Sequence, residues 1–185
     1  MRSRAALMAA AVRLVSERGT TAIPITDLAE AADVSRQVVY LQFGDRDALL
    51  VEAAADLVRR ELIDEATESA DSFAGSLALA RHFAAHSAFY RAMLTGSCAY
   101  AMTTTLNGVF SSVNHTAVRR LFGDLDGQLA VDFAAFVAGG TGAVVNAWLV
   151  DGVDPLDPEE LAGRLLRLAP VLTGAHRTPP AGGPA

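Results

Sequence analysis

The side chains with the most evident chemistry lie between residues 35 and 46. Arg36 can donate two hydrogen bonds to a guanine, and Gln37 can pair with an adenine in the same bidentate way. Val38 can contact a thymine methyl group, and Tyr40 carries a ring and a hydroxyl suited to the sugar–phosphate backbone. Such residue types on one short segment predict recognition of double-stranded DNA.

Histidine and cysteine give a weaker chemical signal. His82 and His86 stand four residues apart, a spacing that can bind zinc from one face of a helix. Because the sequence fixes no third ligand beside them, we expect polar residues of a helix face or pocket, and no metal. Cys98 with His115 could form a nucleophilic pair, but a small buried thiol is the simpler interpretation. No Gly-x-Ser-x-Gly or dinucleotide-loop motif is found, so we expect neither an enzyme nor a cofactor.

Residues that contact DNA need a rigid support, and the sequence predicts one. Periodicity places short helices at 26–33 and 35–42, joined by a turn at Asp33-Val34. Thr26 and Ser35 are predicted to cap these helices, because a hydroxyl can accept from a backbone N–H two or three residues on. The pair is typical of a helix-turn-helix, whose second helix enters the major groove. The residues predicted to pack between the two helices are apolar: Leu28, Ala29, Ala32, Val34 and Val39.

The rest of the chain is predicted to be helical too, which makes the fold class all-α. Strand signals are almost absent. Further helices are predicted at 3–19, 45–68, 72–85, 87–95, 98–122, 127–151 and 158–173. Gly19 is placed to end the first helix, and Asp157-Pro158 to begin the last. No run of eighteen apolar residues lacks a charged or strongly polar break, so we expect no membrane span.

Composition limits the environment of the protein more than its function. The formal net charge is −6, and the first fifty residues carry six arginines against six acids. This balance argues mildly against nucleic-acid binding, which usually needs a locally basic surface. The single cysteine excludes an internal disulfide and fits a reducing compartment, so we expect a cytoplasmic protein.

One combination of residues near the N-terminus resembles the signature of the TetR/AcrR family of bacterial regulators. Its members here are Ala29, Ala31, Ala32, Val34-Ser35, Tyr40-Leu41-Gln42-Phe43, Arg46 and Ala48-Leu49-Leu50. The resemblance is close over about the first fifty residues. This chain has Asp33 where the family often has glycine, Gln42 for histidine and Arg46 for lysine. Asp33 can adopt the same left-handed turn.

The resemblance implies a three-helix DNA-binding domain over residues 1–48 and a helical ligand-binding and dimerisation domain over 49–174. Residues 175–185 are rich in Pro, Gly and Ala and are predicted to be a disordered tail. Phosphate is expected to bind at the start of the helix after Gly44. The residues expected to contact DNA are Thr26, Ser35, Arg36, Gln37, Val38, Tyr40, Gln42 and Arg46.

The C-terminal part resembles a subset of these regulators, in which the last two long helices pair with those of a second copy. Glycines at 139, 140 and 142 each cost about 1 kcal/mol within a helix, which close approach of another helix can offset. We therefore expect a homodimer. The residues expected at its interface are Phe133, Val137, Gly140, Val144, Leu161, Leu165 and Leu168.

A small-molecule pocket is expected in the same domain, and its lining predicts a mainly apolar effector. The main lining candidates are His82, Phe83, His86, Phe89, Met93, Met102, Leu106, Phe110, Phe136 and Trp148. Secondary candidates are Phe73, Leu77, Cys98 and Phe133, and Asn107 and Asn146 are further polar groups that could orient the ligand. Helix 45–68 joins both domains and is the expected lever for release of a repressor from a palindromic operator.

Two other classes of function stay open from the sequence. The chain could be a helical small-molecule-binding protein that uses the same pocket, or an adaptor whose short helices bind protein. Neither alternative involves DNA. Specific, salt-dependent binding to a DNA duplex separates a DNA-reading regulator from both.

Overall fold

Helices make up nearly all of the chain in the computed structural model. The structure describes the backbone of residues 2–63, 72–122 and 126–174, and the side chains of 2–63, 73–112 and 126–168. No strand occurs among these residues. The helices are α1 (Arg2–Arg18), α2 (Ile25–Ala31), α3 (Arg36–Phe43), α4 (Arg46–Val58), α5 (Ser72–Ala85), α6 (Ser87–Thr95), α7 (Ala99–Phe122), α8 (Gly127–Asp151) and α9 (Pro158–Gly174). The all-α prediction is confirmed.

The helix bounds agree with the predicted ones to within two residues, apart from the fourth helix. Predicted as one helix over 45–68, this segment is α-helical to Val58 and continues as a π-helical turn, Arg59–Ile63. Residues 64–68 lie outside the described residues, as do the side chain of His115 and the predicted tail. The π turn needs no glycine or proline, and the 3.6-residue period gave no sign of it.

The first four helices contribute to one apolar core, which continues into the C-terminal helices. α1 packs against α4, and its stripe of Leu7, Ala11, Leu14 and Val15 is buried. Gly19 ends α1 in the left-handed conformation, with φ +62°, as expected for a glycine just after a helix. The residues predicted to pack between α2 and α3 lie inside this core: Leu28, Ala29, Ala32, Val34 and Val39.

The predicted cap of α2 is wrong. The helix begins at Ile25, one residue before Thr26, and Pro24 occupies the N-cap position. Its fixed φ suits the entry to a helix, and its carbonyl accepts from the N–H groups of Asp27 and Leu28. Thr26 therefore lies inside α2, where its hydroxyl donates to Asp27 Oδ1 at 3.2 Å. Ser35 does occupy the N-cap position of α3, but its side chain makes no capping hydrogen bond.

Two aspartates cap the helices that follow. Asp45 Oδ1 accepts from the backbone N–H of Ala48 at 2.8 Å and so begins α4. Asp157 Oδ1 accepts from the N–H groups of Glu159 and Glu160, which confirms the start predicted for α9.

The C-terminal helices form a second layered bundle. α7 packs along α8, and α9 packs against α5. Arg91 on α6 donates to the carbonyls of Leu149 and Gly152 and pairs with Asp154 at 2.5 Å. A cation at the carboxyl end of a helix satisfies carbonyls that lack an intrahelical partner. Arg91 thereby fastens the end of α8, and the loop after it, to α6.

α8 is the most apolar helix of the described chain. By length and composition alone it could cross a membrane, but one such helix is weak evidence for a span. Only 28% of its most apolar window is buried within the chain. Much of its apolar surface is therefore left for another contact.

Candidate functional site

α3 presents a solvent face formed by residues of different chemistry. Arg36, Gln37, Tyr40 and Leu41 are exposed on this face, with Tyr40 54% and Leu41 84% accessible. Val39 points the opposite way and is completely buried. Residues three and four apart share one side of a helix, so these four side chains form one continuous surface.

The turn before α3 sets its direction. Asp33 adopts the left-handed conformation, with φ +52°, at the position where the family often has glycine. Aspartate tolerates this conformation better than most residues. The N–H of Val34 donates to the carbonyl of Ala29, which ties the turn back to α2.

Arg4 of α1 holds the far end of α3. Its guanidinium donates to the carbonyl of Gln42 at 3.1 Å, lies 4.4 Å from the centre of the Phe43 ring and pairs with Glu52 at 3.0 Å. The turn continues through Gly44, whose φ of +83° favours a residue without Cβ. α3 is therefore supported at both ends, which is what a helix that enters a groove requires.

Three of the residues expected to contact DNA are less available than the others. Val38 is half-buried and packs against the apolar core. Gln42 is also half-buried, and its Oε1 is buried with no hydrogen-bond partner. Arg46 pairs with Asp47 at 2.7 Å, and Asp45 already uses one of the free N–H groups at the start of α4.

Arg36 differs from the other arginines around it. Arg4, Arg18 and Arg46 are each paired with a carboxylate. Among the described residues, Arg36 takes part in no salt bridge and no side-chain hydrogen bond. Its guanidinium therefore needs no rearrangement before it meets an external acceptor. Pairing with Arg18 holds the pKa of Asp27 below its usual value, so this pair persists at neutral pH.

Leu41 is a surface residue that the sequence interpretation missed. It is the most exposed large apolar side chain of α3, and it follows Gln37 by one helical turn. Its position relative to buried Val39 on a 3.6-residue helix would have revealed it. An apolar group there can contact a thymine methyl, the role that had been expected of Val38.

A small cavity lies between α5, α7 and α8. It encloses about 140 Å³ and is lined mainly by apolar side chains. Its polar groups are the amides of Asn107 and Asn146 and the hydroxyls of Thr103 and Thr141. The apolar residues around them include Leu79, Phe83, Met102, Leu106, Phe110, Val137 and Val145.

Four of the ten main pocket candidates line this cavity, namely Phe83, Met102, Leu106 and Phe110. The other six lie elsewhere. Phe136 is 63% exposed, and Trp148 borders a separate surface hollow. Phe89 and Met93 are buried in the core around α6. His82 and His86 bond to Glu61 instead.

The secondary pocket candidates do not line the cavity either. Phe73 is exposed and Leu77 half-buried on α5, and Phe133 is half-buried on α8. Cys98 is buried, and burial raises the pKa of its thiol, which keeps it protonated and unreactive. Asn107 and Asn146 do lie in the cavity wall.

The N-terminal part of the chain matches a known protein family. Residues 7–53 match the family described as bacterial regulatory proteins of the tetR family, a match that covers α1 to α3 and the first half of α4. This segment therefore resembles the helix-turn-helix DNA-binding domain of the TetR family. The match supports a transcriptional regulator of that family, whose proteins are DNA-binding regulators rather than enzymes.

Solved structures resemble the regulator over nearly its whole length. The dihydroxyacetone kinase operon activator DhaS has a TM-score of 0.65 and 15% identity, over 94% of this chain and 97% of that chain. The TetR-family repressor AlkX from Dietzia sp. strain DQ12-45-1b has a TM-score of 0.59 and 22% identity, over 92% and 95%. The regulator FadR from Bacillus halodurans has 0.56 and 18%, over 88% and 95%. At these identities the likeness shows a shared fold. No curated protein sequence matches the chain significantly.

Besides α4, two regions join the DNA-binding helices to the C-terminal bundle: α1 packs on α6, and the turn between α6 and α7 contacts Asp47 and Thr21. Ser97, in the turn between α6 and α7, donates to Asp47 Oδ2 at 3.0 Å. Gly96 in the same turn packs so closely on buried Thr21 that a Cβ there would collide with the Thr21 hydroxyl. α7 continues from this turn into the cavity wall through Met102. α7 therefore links the cavity wall to the turn that contacts the DNA-binding domain.

The expected interface residues of the regulator fall into two groups. Gly140 and Leu168 are exposed, whereas Leu161 is buried and Leu165 and Val144 pack against the core of the same chain. Val137 lines the cavity, and Phe133 is half-buried. Leu161 is unavailable to a partner because α9 turns that side towards α5. An exposed stripe on α8 carries instead Leu129, Phe136, Gly140, Ala143, Ala147 and Val150.

Proposed function

We propose that this regulator is a homodimeric repressor that leaves a palindromic operator when a small, mainly apolar effector binds. The observation that carries the proposal is the unpaired, exposed Arg36 beside Gln37 on a helix held at both ends. The proposed boundary between the two domains, at about residue 48, lies in the first turn of α4. α4 then belongs to the connection between the two functions.

The proposed contacts with DNA follow the exposure of α3. Arg36, Gln37, Tyr40 and Leu41 enter the major groove, where Arg and Gln side chains distinguish guanine and adenine. Thr26, Ser35 and Arg46 lie on flanking segments, and their polar groups are suited to phosphate. Val38 and Gln42 support the helix from behind and play a smaller part in contact than their sequence positions suggested.

Dimerisation is supported by the exposed stripe on α8. From Phe136 onward its members follow one another at intervals of four, three, four and three residues, the repeat of a helix that packs along another helix. Small residues at the middle of the stripe, Gly140, Ala143 and Ala147, allow close approach. Leu168 on α9 extends the apolar surface. A two-fold pair of these helices forms a four-helix bundle and separates two α3 helices by a fixed distance.

The effector class is inferred from the cavity between α5, α7 and α8. Its volume of about 140 Å³ is close to that of an engineered apolar cavity that binds benzene. Hydrocarbon-like molecules therefore suit the wall, and Asn107 and Asn146 can orient one polar group. Two structural neighbours agree with an apolar class: AlkX is implicated in biodegradation of n-alkanes, and FadR is a fatty acid degradation regulator.

Release is proposed to act through α7 and α4 together. A guest larger than the cavity pushes α7 and α8 apart, and α7 carries the Gly96–Ser97 turn that rests on the DNA-binding domain. The two α3 helices then leave the spacing of about 34 Å that successive major grooves require. The effector shifts this equilibrium only by the difference between its affinities for the two states.

Fluorescence anisotropy with labelled duplexes tests the DNA-binding part of the proposal. Duplexes are tiled over the DNA upstream of the protein's own coding region, and the salt concentration is varied. We expect one duplex to bind well above a scrambled duplex of the same composition, with affinity falling as salt rises. Equal binding to all duplexes, or none, would contradict a sequence-specific regulator of its own promoter region.

A further inference from the structure

A cluster of three metal-ligating side chains lies where the end of α4 meets α5. Glu61 belongs to the π-helical turn that follows α4, His82 lies on α5, and His86 lies in the turn between α5 and α6, at the N-cap position of α6. Glu61 Oε2 lies 3.0 Å from His82 Nδ1 and 2.8 Å from His86 Nε2. The three ligand atoms all lie within 4.8 Å of one another. Glu61 is thus the third ligand that sequence spacing alone left unassigned.

We propose that Glu61, His82 and His86 bind a divalent transition-metal cation, for which Zn²⁺ is the best fit. Two imidazoles and one carboxylate are a ligand set that zinc adopts, with a fourth position left for water or an external ligand. Zinc ligands at about 2.0–2.2 Å in a tetrahedron lie roughly 3.4 Å apart. The two oxygen–nitrogen distances, 3.0 and 2.8 Å, would each lengthen slightly to admit the cation, and the two nitrogens already lie within 4.8 Å of each other.

The second nitrogen of His82 already has the partner that a metal-binding histidine needs. His82 Nε2 lies 2.8 Å from the hydroxyl oxygen of Tyr90, which is completely buried. When the cation binds Nδ1, that nitrogen gives up its hydrogen and Nε2 becomes the protonated nitrogen; Nε2–H then donates to the Tyr90 hydroxyl oxygen, which fixes the ring and its tautomer. Neutral imidazole is the form that binds metal.

Access and position both suit a cation site. The side chain of His82 is only 2% exposed, whereas those of Glu61 and His86 are 38% and 25% exposed, so the site opens to solvent on their side. π-helical turns occur frequently at functional sites, and this one carries a ligand. A bound cation would hold the end of α4, the helix that starts in the DNA-binding domain, against α5. The simpler alternative is a hydrogen-bonded cluster that fastens these helices without metal.

Zinc titration of the full chain distinguishes the two. Tag-free protein is treated with a chelator, freed of it, and dialysed to equilibrium against zinc sulfate. We expect one zinc ion per chain and a Tm that rises with zinc concentration. Glu61→Gln and His86→Gln each remove a ligand at a partly exposed position and are expected to lower zinc affinity at least tenfold. Glu159→Gln, which changes an exposed carboxylate on α9, is the matched control and should bind like the wild type.

Wild-type protein that takes up no zinc, or ligand variants that bind zinc like the control, would overturn the site. If the variants do not fold, the imidazole resonances of wild-type protein decide by NMR. Zinc-induced shifts of the His82 and His86 rings support the proposal, and unchanged rings overturn it. Zinc binding is measured without operator DNA, so the result does not depend on the proposed repressor function.

Discussion

Two arginines of the DNA-binding domain are chemically alike but are placed for different tasks. Arg36 stands exposed and unpaired among the described residues, whereas Arg46 is bonded to Asp47. An unpaired guanidinium loses no internal contact when it binds a guanine. A paired one exchanges one partner for another, which reduces the net gain. Base recognition is therefore expected to depend on Arg36 more than on Arg46.

Arg36→Ala and Gln37→Ala are each expected to weaken operator binding by about 1–3 kcal/mol per half-site, because each removes a bidentate contact. Arg46→Ala should instead lower affinity for all duplexes alike and flatten the salt dependence. Anisotropy titrations against operator and scrambled duplexes measure both effects. Arg81→Ala, at an exposed site on α5, is the control. Operator affinity that stays at the wild-type value in both α3 variants would show that another surface recognises the bases.

The helix caps make a second prediction at this scale. Asp45→Ala removes the acceptor for the Ala48 N–H and should lower the free energy of unfolding by about 1 kcal/mol. Thr26→Ala should change it by only a few tenths of that, since Thr26 lies inside α2 and caps nothing. Urea denaturation of both variants measures the difference. An equal or larger loss for Thr26→Ala would restore Thr26 as the cap.

At the scale of helices and turns, the turn between α6 and α7 connects the DNA-binding domain to the ligand-binding domain, as α4 does. Gly96 meets Thr21 closely, and the carbonyl of Ala92 would lie 2.8 Å from an added Cβ. Because one neighbour is backbone, the turn itself has to move. Gly96→Ala is expected to lower the free energy of unfolding by about 1–3 kcal/mol and to alter operator affinity.

Urea denaturation and operator anisotropy test this contact together. Gly108→Ala is the matched control, because no atom lies within 4 Å of a Cβ at that exposed position of α7. The control should be neutral or slightly stabilising, as alanine favours a helix over glycine. If Gly96→Ala behaves like Gly108→Ala in both measurements, the turn does not connect the domains.

The cavity gives a second prediction for the elements. Ala138 is buried and lines the cavity, so Ala138→Phe should fill most of its volume. Toluene, a probe of about the right size, is expected to raise the Tm of the wild type but not that of Ala138→Phe, while both bind operator. Ala101→Phe, at an exposed site on α7, should keep the toluene response. A toluene response in Ala138→Phe would place the guest elsewhere.

For the whole molecule, the exposed stripe on α8 determines the oligomeric state that we expect. Sedimentation at micromolar concentration should give twice the 19.3 kDa of one chain. Phe136→Asp and Gly140→Glu bury a charge in the apolar interface and should give monomers with unchanged helix content. Tyr100→Asp alters another exposed aromatic residue, on α7, and should leave the dimer intact. A monomeric wild type would remove the basis for a two-fold operator.

Helix positions, helix-turn-helix and family could all be predicted from the sequence, because they depend on local information. Apolar periodicity fixed eight of the helices to within two residues, and the positions from Ala29 to Leu50 carried the resemblance. Gly19 and Asp157 marked helix ends through conformational preferences that belong to single residues. The prediction that Thr26 caps α2 was wrong because the helix begins one residue earlier, with Pro24 at its N-cap position.

Tertiary structure decided the facts that join residues far apart in the chain. Leu79, Met102 and Asn146 meet around one cavity only because α5, α7 and α8 cross there, and Leu161 turns inward only because α9 packs on α5. Glu61 meets His82 and His86 because the π turn ends α4 beside α5. Periodicity identifies a buried side but not the neighbour that covers it, since the direction in which each helix packs depends on the contacts of the whole bundle.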